Sequence, residues 1–141
     1  MICYFDTSAF VPLLIEESGS ERCLRLWEAA DSVVSSRLLY AEAAAALAQA
    51  ERMSRITSTA YTQAMGLLEG LWEEVNVLDV DQVLVERAAE LAREFGLRGY
   101  DAVHCASVER LKSGELVVAC GDRRLLDACE ELGMATGDTS V

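Results

Sequence analysis

The feature that most constrains this chain is a rhythm of short apolar runs separated by longer stretches of helical periodicity. "MICYF" (1–5), "SVVSS" (32–36), "EVNVLDV" (74–80) and "ELVVAC" (115–120) are the runs, and "MAT" (134–136) is a candidate fifth. Each is too short for a buried helix and reads as a strand covered on both faces. Strands of that kind belong to parallel sheets with helices packed on either side. The intervals supply the helices. Residues 7–15 form one, capped by Thr7 or Ser8, with Pro12 tolerable only near its first turn. Residues 18–31 open on a Ser with a Glu at capping-box offset and carry Cys23, Leu24, Trp27 and Ala30 on one face. Further helices are expected over 37–52, 54–74 with Ser54 as cap, 81–95 ending at Gly96, 99–114 ending at Gly114, and 123–133. The pair spanning 37–74 exceeds what one crossover requires. With no internal repeat, the expectation is one α/β domain over 1–141, three-layered, with a short, mainly parallel central sheet.

Charge and cysteine content exclude several classes. The net charge is −12, from 24 acids against 12 bases. That balance opposes extended tracking of a polyanion, but permits a small site that meets phosphate through metal ions. Eleven of the bases are Arg, a composition bias or a use of its phosphate-matching fork. Five cysteines, Cys3, Cys23, Cys105, Cys120 and Cys129, form no C-x-x-C pair, so neither a zinc site nor a disulfide framework is indicated. No apolar run reaches the roughly 18–20 residues of a membrane span. The N-terminus lacks a basic n-region. A reducing cytoplasm is the expected setting.

Four acids stand in expensive places. Asp6 directly follows the first strand, and Asp122 lies one glycine beyond "LVVAC". Ligands of open parallel sheets bind outside the carboxyl ends of the strands, where both acids fall. Glu42 sits among Leu38, Leu39, Ala45 and Ala46 on one helix face, and Asp101 opens the apolar helix "GYDAVHCA". A carboxylate in an apolar stripe is costly unless paired or bound to a metal. Taken singly, Asp6, Asp101 and Asp122 each read more readily as helix caps than as site residues. Taken together, four acids without matching bases would repel one another, and a hard divalent cation relieves that conflict.

"YFDTSAF", "YAEAAAAL", "GYDAVHCA" and "VVACGDRRLL" occur in that order, each in its own element. No one of them is specific, but the ordered set resembles the PIN-domain ribonucleases, in particular VapC-type toxins of toxin–antitoxin pairs, over essentially the whole chain. The resemblance implies a PIN-like α/β/α fold and an endoribonuclease that uses Mg²⁺ or Mn²⁺ held by Asp6, Glu42, Asp101 and Asp122. It implies Ser8 as a supporting hydrogen-bonding residue. It also implies RNA as substrate, a cognate antitoxin and a homodimer. Where the family often carries Thr or Ser two residues before the last Asp, this chain has Cys120, a weaker hydrogen-bonding group that bears on the positioning of Asp122.

Arg98, Arg123 and Arg124 flank the last two acids and are candidates for phosphate contacts; solvated helix-end arginines are the alternative. His104, the only histidine, is expected to pack beside the acids without a catalytic role. Trp27 and Trp72 are expected in the core, while Tyr61, Leu68 and Trp72 share a helix and would also suit a dimer or antitoxin surface. The competing reading is a PIN-like module that binds RNA or protein without cutting. A receiver-like phosphotransfer domain needs a late Lys beside its acceptor, and the only Lys, Lys112, is expected inside a helix.

Overall fold

The computed structural model describes residues 1–141 and builds them around a five-stranded, fully parallel sheet. Its strands are β1 (Ile2–Phe5), β2 (Ser32–Ser36), β3 (Val75–Leu78), β4 (Leu116–Cys120) and β5 (Ala135–Asp138). The spatial order is β3-β2-β1-β4-β5. Residue Tyr4 pairs in register with Val34 on one side and Val118 on the other. The chain winds outward from β1 to β3, then crosses back to place β4 on the other side of β1. The crevice between the carboxyl ends of β1 and β4 is therefore a topological switch point, where such sheets bind ligands.

The helices are α1 (Thr7–Phe10), α2 (Ser20–Ala29), α3 (Leu38–Arg52), α4 (Ser58–Trp72), α5 (Gln82–Phe95), α6 (Gly99–Leu111) and α7 (Arg123–Glu131). Strand alternation divides the interior into two cores. Cys3 and Phe5 face α1, α3 and α4 in one core, with Phe10, Leu39, Leu47 and Leu68. Tyr4, Val118 and Cys120 face α5, α6 and α7 in the other, with Leu91, Val108 and Leu126. This is the expected three-layer arrangement, with every strand parallel. All five cysteines are free and buried. No helix is long and apolar enough to cross a membrane.

Several boundaries differ from expectation for local reasons. The helix expected over 7–15 is α1 followed by a 3₁₀ turn, Val11–Leu13, with Pro12 in that turn's opening positions. The α1 cap is Asp6, not Thr7 or Ser8: its carboxylate accepts from the Ala9 amide at 3.1 Å. The second helix begins after Gly19, whose closeness to the Thr139 carbonyl leaves a Cβ only 2.6 Å of room. The α4 cap is Thr57, which accepts from the Ala60 amide at 3.0 Å; Ser54 instead turns the chain with a φ of 58°. Gly96 closes α5 in the left-handed conformation, as expected. Lys112 caps the end of α6, where it donates to the Leu132 carbonyl.

The aromatic residues also resolve. Trp27 packs edge-on against Phe5, Trp72 against Tyr40, and Tyr61 lies half-buried on the same core. Leu68 is fully buried there, whereas its neighbour Leu67 is 43% exposed. Leu68→Ala should therefore lower unfolding stability by about 2–5 kcal/mol. Leu67→Ala should change it by about 0.5 kcal/mol or less. Urea denaturation of the two variants checks the assignment; equal losses would contradict it.

Candidate active site

Asp6 and Asp122 each leave a strand and enter a helix. Asp6 is 3% exposed between β1 and α1, and Asp122 caps α7 by accepting from the Leu125 amide at 3.0 Å. For these two acids the cap reading holds, and both also reach the cleft described below. Asp101 is different: Arg98 occupies the cap position of α6, and Asp101 stands in the first turn with no capping role. Glu42 projects from α3, on the opposite side of the sheet from α6. All four line one cleft of about 670 Å³ at the carboxyl edge of the sheet.

Each carboxylate is held by a different set of donors. Ser8 Oγ donates to Asp6 at 2.7 and 2.9 Å, and itself accepts from the Gly121 amide at 2.8 Å. Ser8 thus ties the end of β1 to the end of β4. Cys120 contributes to the same junction. Its thiol donates to Asp6 Oδ2 at 3.3 Å and its sulfur accepts from the Asp122 amide at 3.3 Å. The cysteine therefore fills a positioning role despite its weaker hydrogen bonding, and burial pushes its thiol well above the ordinary range.

Glu42 is oriented by residues whose partnership sequence spacing did not reveal. Thr7 Oγ1 donates to Glu42 Oε1 at 2.8 Å, and His104 Nε2 lies 2.6 Å from the same oxygen. A carboxylate accepts, so His104 presents an N–H to Glu42 at Nε2. Its Nδ1 lies 2.7 Å from the Tyr4 hydroxyl. His104 is 1% exposed and joins the acids through Glu42, on another helix, not through Asp101, three residues away on its own. No periodicity in the sequence indicates the Tyr4 contact, which depends on which face of β1 the residue occupies.

The electrostatics match the crowding. Burial raises the Asp6 carboxyl above the usual aspartate range, and the opposing influence of His104 and Ser8 does not cancel it. Burial also raises Asp101, and the Asp122 charge adds to the effect. Arg98 is the one cation bridging this pair, with Nε 3.2 Å from Asp101 and Nη2 3.8 Å from Asp122. Of the other two arginines, Arg123 is taken up by Asp127, Glu130 and Asp138, and Arg124 donates to the Gly96 carbonyl. Both still line a second hollow shared with Arg98, Asp101 and Asp122. Arg55, not singled out by the sequence, reaches the main cleft from the turn between α3 and α4.

Four hard oxygen donors with a surplus of negative charge are the chemistry a divalent cation such as Mg²⁺ or Mn²⁺ takes. The donor types fit. No three acids, histidines or cysteines stand together as a ready ligand set, however. Each carboxylate accepts from a protein donor, and its two oxygens leave lone pairs over for an ion.

Comparison with known proteins places this geometry in context. The PIN domain family model matches residues 3–131. The chain is 42% identical to Ribonuclease VapC45 of Mycobacterium tuberculosis over 124 residues, 88% of this chain and 86% of that protein. Among solved structures, it resembles Mycobacterium tuberculosis VapC20, a sarcin–ricin loop cleaving toxin, with a TM-score of 0.68 and 23% identity, covering 89% of this chain and 94% of that one. It also resembles a toxin–antitoxin complex from Klebsiella pneumoniae, with a TM-score of 0.62 and 18% identity, covering 85% and 86%.

The raised Asp101 has a stability consequence. A carboxyl whose folded pKa lies above its unfolded one binds more protons in the native state, so its contribution to stability falls as pH rises through that interval. In chelator at neutral pH, Asp101→Asn should melt at a higher temperature than the parent chain. The difference should shrink toward zero as pH is lowered below the ordinary aspartate value. Calorimetric scans across pH check this; a variant that melts lower at neutral pH would contradict it.

Proposed function

This chain belongs to the PIN domain family, as a VapC-type toxin, and from that premise we propose that it is an endoribonuclease dependent on a divalent metal ion. Asp6, Glu42, Asp101 and Asp122 hold the ion in this reading. The chemistry a bound Mg²⁺ or Mn²⁺ supplies is activation of a water and neutralisation of the phosphoryl oxygens during in-line displacement. The observation that carries the reading is the convergence of four acids, from four separate elements, on one cleft at the switch point of the sheet.

The chain's own residues do the positioning. Ser8 and Cys120 keep the Asp6 carboxylate facing the β1–β4 junction. Thr7 and His104 fix Glu42 from two sides, and Tyr4 holds the histidine from the core. Arg98, already at the acids, is the cation best placed to meet a phosphate oxygen; Arg123 and Arg124 extend that side in the adjoining hollow. The same proposal takes residues 1–141 as one PIN-like unit. It assigns the chain RNA as substrate, a cognate antitoxin as partner, a homodimeric state and a cytoplasmic setting.

A second reading is a PIN-like module that binds RNA or protein without cleaving. The presence of all four acids weighs against it. One assay separates the two. Antitoxin-free protein is incubated with total RNA in Mg²⁺ or Mn²⁺, with chelator, and as Asp101→Asn. The nuclease reading predicts discrete cleavage only with metal, and a loss of about a hundredfold or more in the variant. Cleavage that survives chelator overturns the metal mechanism. Metal-independent binding without any cleavage leaves the binding module.

A further inference from the structure

We propose that Tyr100, with the Arg98 guanidinium resting on its ring, forms a shelf at the cleft on which one unpaired base of the substrate stacks. The proposal rests on the ribonuclease reading and names the residue pair that holds one base of the substrate beside the acids.

Tyr100 is 45% exposed and belongs to neither hydrophobic core, so packing does not account for an aromatic ring there. It stands in the first turn of α6, beside Asp101, and lines the same cleft as the four acids. The Arg98 Cζ lies 5.1 Å from the ring centroid. The same guanidinium is anchored at 3.2 Å to Asp101 and approaches Asp122 at 3.8 Å. The shelf is thus held at a set distance from the acids through an ion pair and a cation–π contact.

The charge of the cleft explains why such a shelf is needed. Five carboxylates and only two guanidinia, Arg55 and Arg98, line it, in a chain of net charge −12. Coulomb attraction therefore contributes little to holding RNA. Stacking on aromatic rings and on guanidinium planes does not require positive charge, and it tolerates any base. A base in a duplex is already stacked and paired, so a shelf of this kind selects unpaired nucleotides.

The test uses short fluorescent RNAs: a single strand, its duplex, and a series of single strands each lacking one base. Binding to the full chain is read by anisotropy with Ca²⁺ in place of Mg²⁺, for the parent, Tyr100→Ala and Tyr100→Phe. Tyr100→Ala should weaken single-strand binding about tenfold, and Tyr100→Phe by about twofold or less. On one member of the base-lacking series, the parent and Tyr100→Ala should bind alike, because the stacked base is gone. In cleavage assays the Tyr100→Ala loss should fall on KM, not on kcat. Equal affinities of parent and Tyr100→Ala overturn the shelf, as does a penalty that persists on every base-lacking strand or duplex binding as tight as single-strand binding. Base-dependent binding without cleavage keeps the shelf and removes the nuclease reading. Cleavage with no effect of Tyr100 does the reverse, and absence of both binding and cleavage overturns both.

Discussion

Keeping four carboxylates at one edge of a sheet, with Asp6 and Asp101 raised by burial and Asp101 further by the charge of Asp122, is the constraint around which the local structure is organised. Removing a carboxylate from water without a partner is unfavourable, and crowding several together is worse. The fold meets this in two ways. It gives Asp6 three donors, from Ser8, Cys120 and the Ala9 amide, and it brings Arg98 between Asp101 and Asp122. These contacts leave the cost incompletely offset, since Asp6 and Asp101 both remain shifted toward their neutral forms. A cluster kept in that condition costs stability, which supports the proposed chemical use.

The chain Tyr4–His104–Glu42 carries the constraint into the core. Tyr4 belongs to the central strand, His104 to a helix on one face and Glu42 to a helix on the other. These side chains join the two helical layers at the end of the sheet. A histidine with almost no exposure, satisfied on both nitrogens, is a rigid link. It sets where Glu42 stands relative to Asp6, and so helps define the shape of the cleft.

Much of this was legible in the sequence because it follows from local rules. The positions of Asp6 and Asp122 come from the carboxyl ends of two apolar strands, and Glu42 and Asp101 stand out against apolar helix faces. Parallel pairing follows from strands without polar alternation, although the spatial order of the strands does not. What the sequence hid depends on tertiary placement. Tyr4 reads as one more apolar strand residue until its side of the sheet is known. Spacing pairs His104 with Asp101, whereas the packed helices pair it with Glu42. Ser54 looked like a cap because a serine precedes a helical pattern; Thr57, one turn later, has the backbone that permits capping. Leu68 and Leu67 were separable, since neighbours on a helix point about 100° apart, and Leu68 is buried while Leu67 is exposed.

The proposed function stands or falls on whether Asp6, Glu42, Asp101 and Asp122 hold a divalent cation in the cleft. The most direct measurement is a crystal structure of the chain grown with Mn²⁺, with the ion located by its anomalous scattering. A cation site in the cleft predicts a peak in contact with at least two of Asp6, Glu42, Asp101 and Asp122. An anomalous map with no peak at these carboxylates at saturating Mn²⁺ would contradict it.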